Sequence, residues 1–181
     1  ADSEPVASSS AQPMAAGVLV VGDIHGSVAS IRERLERHSF PAVVARTLAD
    51  AATSVSVAQP AVVLIDVDFV GHAALAWCEH LKRDSATRLM PILALSGDPD
   101  RHRRLELIRA GVDAILTTPI DTDELLARVK AATRTSQFVN DLESAAAIVM
   151  TLTAMLEARE ASPGHCHRMA NYAMALGRAI G

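Results

Sequence analysis

Residues 60–66 read PAVVLID: a proline, five apolar residues in an unbroken row, and a carboxylate. So short a run is too brief for a membrane helix. It also lacks the apolar–polar alternation of a strand with one wet face. Rich in Val and Ile and closed at both ends, it reads as a strand covered on both sides. Four more stretches have the same character: GVLVVG (17–22), AVVAR (42–46), PILALS (91–96) and DAILTT (113–118). Helical patterns lie between them. SVASIRERLERH puts Val28, Ile31 and Leu35 on one face, LADAATSVSVAQ is a weaker helix, and ALAWCEHLKRD aligns Leu75, Cys78 and Leu81. DRHRRLELIRAG closes on Gly111. DTDELLARVKAA opens on Asp121 with Glu124 three residues later, the signature of a capped helix start. Five strands alternating with five helices predict an α/β fold: a five-stranded parallel sheet, doubly wound, with helices on both faces.

Composition narrows the function. Half of the 181 residues are apolar but only 3% are aromatic, so the expected core is aliphatic. The formal charge of −4 carries no basic footprint, and no nucleic-acid partner is expected. Cys78 and Cys166 lie too far apart for a local metal or redox pair and suit a reducing, cytoplasmic setting. The apolar runs fall short of the ~20 residues of a membrane span, and no signal-peptide pattern is visible. Residues 1–16, ADSEPVASSSAQPMAA, have no periodicity and read as a disordered leader.

In a doubly wound sheet the working site lies beyond the carboxyl ends of the strands, near the point where strand order reverses. The predicted strands end there at Asp23, Asp66, Ser96 and Thr118–Pro119. Two carboxylates and two hydroxyls at converging strand ends make a candidate site. The first end is ambiguous, because GDIHG (22–26) also opens calcineurin-like metallophosphoesterases. That chemistry needs two metals and further His and Asn ligands. The only asparagines are Asn140 and Asn171, and neither precedes a histidine. GDIHG is therefore read as a coincidence, with His25 a loop or first-turn residue.

The strand ends resemble those of a response-regulator receiver domain over about residues 17–135. The intervals carry the likeness: 43 residues from Asp23 to Asp66, 30 from Asp66 to Ser96 and 22 from Ser96 to Thr118. PAVVLID, Gly71 five places on, LK at 81–82, MPILALSG and RAGVDAILTTPI fit as well. The resemblance implies a flavodoxin-like fold with Asp66 as phosphoacceptor from a sensor histidine kinase. It further implies Ser96 and the position of Thr118 beside the phosphoryl group, and a magnesium ion held by Asp23 and Asp66. A cis Thr118–Pro119 peptide is also expected. The chain departs from the family where charge matters. Gly22 replaces the first of two acidic residues, Thr118 the lysine, Ile115 the reporter aromatic and Val70 a proline. The only lysines, Lys82 and Lys130, fall on predicted helices. Asp68 could add negative charge to the metal set, although neighbouring side chains at a strand end face opposite ways. A degenerate receiver with an impaired site and weak magnesium binding is expected. The alternative is a pseudo-receiver that binds a signalling partner without phosphorylation, with Asp66 reduced to capping the next helix. RHRR (101–104) reads as a solvated face, with a partner-docking patch as the sharper reading.

After a weak point at TRTSQ (133–137), a helical pattern resumes and runs to Glu160. Val139, Leu142, Ala146, Val149, Thr153 and Leu156 recur at alternating three- and four-residue steps, the seam of a short coiled coil. Both homodimer formation and packing on a following domain fit this pattern. Residues 136–181, with the turn at 162–164 and HCHRMANYAMALGRAIG, resemble the first helices of an HD-GYP cyclic-di-GMP phosphodiesterase. The resemblance implies that His165 joins a metal site there, while the bland reading of His165, Cys166 and His167 is an exposed helical turn. No His-Asp dipeptide or GYP occurs, so the chain is expected to stop before that chemistry and not to be an enzyme as it stands.

Overall fold

A computed structural model describes residues 17–23, 27–97, 99–159 and 165–180. The five predicted strands are present as β1 (Val18–Val21), β2 (Ala42–Ala45), β3 (Val62–Asp66), β4 (Ile92–Ser96) and β5 (Ala114–Thr117). All pair in parallel in the order β2-β1-β3-β4-β5. Strand order reverses at β1, which lies between β2 and β3, and the crevice beyond β1 and β3 is the topological switch point. The helices are α1 (Ser27–Arg37), α2 (Leu48–Ala58), α3 (Val67–Val70), α4 (Ala73–Arg83), α5 (Arg101–Arg109), α6 (Thr122–Arg159) and α7 (His165–Ile180).

Side-chain alternation along the strands divides the core in two. Val18, Val20, Val62, Leu64, Leu93, Leu95 and Leu116 face Val28, Ile31 and Leu35 of α1 and Leu125 and Val129 of α6. Leu19, Val21, Val63, Ile65, Ile92 and Ala94 face α2, α4 and α5. Alternate residues of β3 thus enter opposite layers, which is why PAVVLID shows no polar gaps. The buried stripe of α4 is Ala74, Trp77, Cys78 and Leu81, and Leu75, expected in register, sits at its edge, only partly buried. The Cys78 thiol is fully buried, and desolvation pushes its pKa up to about 11 against a partial offset from the Lys82 charge.

Two departures from the sequence reading are local. The expected helix ALAWCEHLKRD is present as α4, and a single turn the sequence reading did not anticipate, α3, precedes it and ends at Gly71, whose φ is +73°. The weak point at 133–137 is absent, and α6 runs through it unbroken. Thr133 and Thr135 each donate their hydroxyl to the carbonyl four residues back, at 2.9 and 3.2 Å, so both hydroxyls are satisfied within the helix. Asp121 accepts from the amides of Asp123 and Glu124, as its capping position requires.

The chain divides into two compact units, residues 1–138 and 139–181. In the second unit Leu142, Ile148, Val149, Met150, Leu152 and Met155 are exposed on α6, as are Tyr172, Met174 and Leu176 on α7. Within the described residues Thr122–Met155 is long and apolar enough to cross a membrane by length and mean hydropathy alone. Its longest uncharged run, 144–156, rises only about 20 Å, well short of the ~30 Å hydrocarbon core. The expected leader at 1–16, His25, and the side chains of Leu156, His165, Cys166 and His167 lie outside the described residues.

Candidate functional site

Register assembles the site. Val21 pairs with Ile65 and Asp66 with Leu95, so Gly22 lies beside Asp66 and Ser96 one residue further along, at the ends of β1, β3 and β4. Asp23 follows Gly22 and is half-buried. Ser96 pairs with Thr117, and the Thr118 amide donates to the Ser96 carbonyl at 2.8 Å. The Thr118–Pro119 peptide is cis. All four strand ends singled out in the sequence therefore lie along one carboxyl edge of the sheet.

Asp66 is half-buried and caps α3, its Oδ1 accepting from the Asp68 and Phe69 amides at 3.1 and 3.0 Å. The two amide donors fix the orientation of the carboxylate. Asp68 lies where a strand side chain would point away, yet the turn of α3 begins at Val67 and redirects it. Its Oδ1 accepts from Ser96 Oγ at 3.0 Å and its Oδ2 from the Gly97 amide at 2.6 Å. The Asp68 carboxylate is thus turned onto the end of β4. Strand alternation was the wrong guide here, because the strand has already ended.

Gly22 is sterically specified. A Cβ there would lie 2.7 Å from Val28 Cγ2 and 3.0 Å from Asp66 Cβ, so α1 fills the space a second acidic side chain needs. Neither lysine reaches the crevice. Lys82 Nζ is bonded to Asp113 Oδ2 at 2.8 Å and the Met90 carbonyl at 2.9 Å, at the opposite, amino ends of β4 and β5. Lys130 is exposed on α6. The RHRR segment opens α5, with Arg103 turned to Glu106 at 3.4 Å and the other three side chains exposed. Arg103, His72 and Asp68 line a shared cleft.

Asp23 and Asp66 are hard oxygen donors at adjacent strand ends. Magnesium is commonly held by one or two carboxylates with phosphate oxygens and water completing its shell. The chemistry of this pair fits such an ion. No group of three or more His, Cys, Asp or Glu side chains is disposed to hold a metal among the described residues.

The fold is a parallel, doubly wound sheet with carboxylates at its switch point, and comparison with known proteins gives its family. Residues 18–130 match the family model described as response regulator receiver domain, and the chain belongs to that family. It is 30% identical over 132 residues to the response regulator PleD of Caulobacter vibrioides, covering 71% of this chain and 28% of PleD. It is 33% identical over 125 residues to the phosphate regulon transcriptional regulatory protein PhoB of Escherichia coli, covering 67% of this chain and 53% of PhoB. The chain thus spans between about a quarter and a half of these relatives. The receiver domain of a Pseudomonas aeruginosa sensor histidine kinase, solved with magnesium coordinated in its active site cleft, shares the fold. Its TM-score is 0.59 at 18% identity, over 65% of this chain and 96% of that one.

Sequence reading found Asp23, Asp66, Ser96 and Thr118 because strand ends are legible. It missed the Gly97 amide as a donor and the turn of Asp68 onto it. The closely spaced acids of DVDF (66–69) are the one signal that pointed there, since an Asx-type turn at Asp66 reorients the residue two places on.

Proposed function

We propose that this chain is a two-component receiver whose phosphoacceptor, Asp66, is retained in an impaired setting and regulates an HD-GYP-type output. One observation carries the reading. Asp66 stands beside Ser96 at the switch point, while Gly22 and Thr118 occupy the places of the second acid and the lysine. Attack by the Asp66 carboxylate on a phosphoryl donor develops charge on the transferred oxygens, and positioned donors or cations stabilise it. Ser96 and the backbone at Gly97 supply donors. Asp23 and Asp66 would hold magnesium, which neutralises phosphoryl charge when bound. A sensor histidine kinase is the natural donor, and the cytoplasm the natural compartment.

The exposed apolar row from Leu142 to Met155 supports an association surface. On this reading it is a homodimer seam leading into the output domain, with His165 at that domain's start.

The test is intact mass after incubation with magnesium and a small acyl phosphate. A single phosphoryl adduct, slow to form and absent from Asp66→Asn, is the expected result. A folded parent that gains no adduct overturns it. A pseudo-receiver acting through a protein partner is the second reading, favoured by the structural task Asp66 already has as the cap of α3.

A further inference from the structure

The crevice holds a feature that a merely impaired receiver does not need. Asp66 pairs with Leu95, so Ser96 and Gly97 continue the neighbouring strand just past the acceptor. A phosphoryl group on Asp66 would project into that space and needs hydrogen-bond donors there. Ser96 Oγ and the Gly97 amide are the donors at that place. Each has one proton to give, and Asp68 takes both, one on each carboxylate oxygen. Ser96 is nearly buried at 3% exposure, so the Asp68 carboxylate covers a hydroxyl with little access to water. Thr118 closes the same corner: a Cβ built on Gly97 would lie 3.6 Å from Asp68 Oδ2 and 3.8 Å from Thr118 Oγ1. With threonine in the lysine position, neither lysine reaches the crevice, and Arg103, which lines a cleft with Asp68, is turned to Glu106.

We propose that Asp68, straddling Ser96 Oγ and the Gly97 amide, occupies the seat of the Asp66 phosphoryl group and competes with it. The inference rests on the reading of Asp66 as acceptor. Asp68 is a positioning residue here: it holds Ser96 and the β4 end as a phosphoryl group would, and it must swing out before one can enter. In the reaction a carboxylate oxygen of Asp66 attacks the phosphorus of an acyl phosphate. A new P–O bond forms to Asp66, and the P–O bond to the acyl group breaks. The carboxylate product leaves with the bonding pair. The incoming group and Asp68 are both anions seeking the same two donors, so their exclusion is mutual.

The experiment uses the whole chain as parent, Asp68→Ala, Asp66→Asn and Asp100→Asn. Asp100 lines the same cleft as Asp68 and caps α5 by accepting from the Arg103 amide, a bond asparagine can keep. It therefore controls for lost negative charge. Amide hydrogen exchange at Gly97 is followed by NMR without donor, and adduct formation by intact mass with acetyl phosphate and magnesium. Asp68→Ala should speed Gly97 exchange at least about tenfold and adduct formation by a similar factor, while Asp100→Asn changes neither by more than about twofold. Gly97 exchange unaltered in Asp68→Ala overturns the contact. A freed amide with adduct formation unchanged or slower overturns the competition, and slower formation would make Asp68 a metal ligand instead. An equal gain in Asp100→Asn reduces the effect to bulk charge and also overturns it. A freed amide with no adduct in any variant sinks Asp66 as acceptor, and the competition with it.

Discussion

The two ends of the sheet handle charge in opposite ways. At the amino ends Lys82 lies against Asp113 and the Met90 carbonyl, and Asp113 also accepts from the Ile92 amide at 2.8 Å. Gly111, at φ +86°, leaves room for the lysine stem, since a Cβ there would lie 2.6 Å from Lys82 Cγ. Cation, carboxylate and backbone are all matched. At the carboxyl ends lie Asp23, Asp66 and Asp68 with no lysine among them, and hydroxyl and amide donors hold Asp66 and Asp68. A closed network suits stability. One held by weaker, exchangeable donors is what a switch needs, because a ligand can displace its members.

Four substitutions or conditions would break or sharpen this contrast. The largest effect is expected from Gly22→Asp, the change that nominally restores the second acid. Overlap with Val28 and Asp66 should cost about 3 kcal/mol, read as a lower urea midpoint, and adduct formation should not improve. An unchanged midpoint would mean α1 yields easily and the glycine is incidental. Asp113→Ala comes next. It strips a partner from Lys82 and from the buried Ile92 amide, for a loss of about 2 kcal/mol in the same measurement. Adduct formation, at the other end of the sheet, should stay within about twofold.

Thr118→Lys tests the carboxyl end directly. A cation returned to the crevice should raise the rate of adduct formation about tenfold, equivalent to about 1.4 kcal/mol. A slower rate would mean that the new ammonium pairs with Asp68 and locks the seat. The last effect concerns Cys78. Its folded pKa lies above the unfolded value of 9.0, so the folded state retains the proton as pH rises and stability falls between about pH 9 and pH 11. By pH 10 the loss should reach about 1.4 kcal/mol. Cys78→Ala, though less stable throughout, should lack that part of the slope.

Most of the fold was legible because its signals are local. Unbroken runs such as PAVVLID mark strands covered on both faces, and Val28, Ile31 and Leu35 mark a helical face by spacing alone. Asp23, Asp66, Ser96 and Thr118 followed from the same reading, since a strand's end is visible where its apolar run stops. The break expected at 133–137 did not appear, because propensity is a weak prior that packing overrides, and Thr133 and Ser136 are buried within the helix.

By itself, then, the sequence determined the element order, the doubly wound class, the strand-end residues and the absence of a lysine near them. Each of these depends on residue type and on distance along the chain. Tertiary structure alone decided that Val28 closes the space beside Gly22, that Lys82 is held at the far end of the sheet, and that Asp68 turns onto Ser96 and Gly97. Those outcomes depend on which atoms meet across strands, and register and packing set that only once the chain has folded.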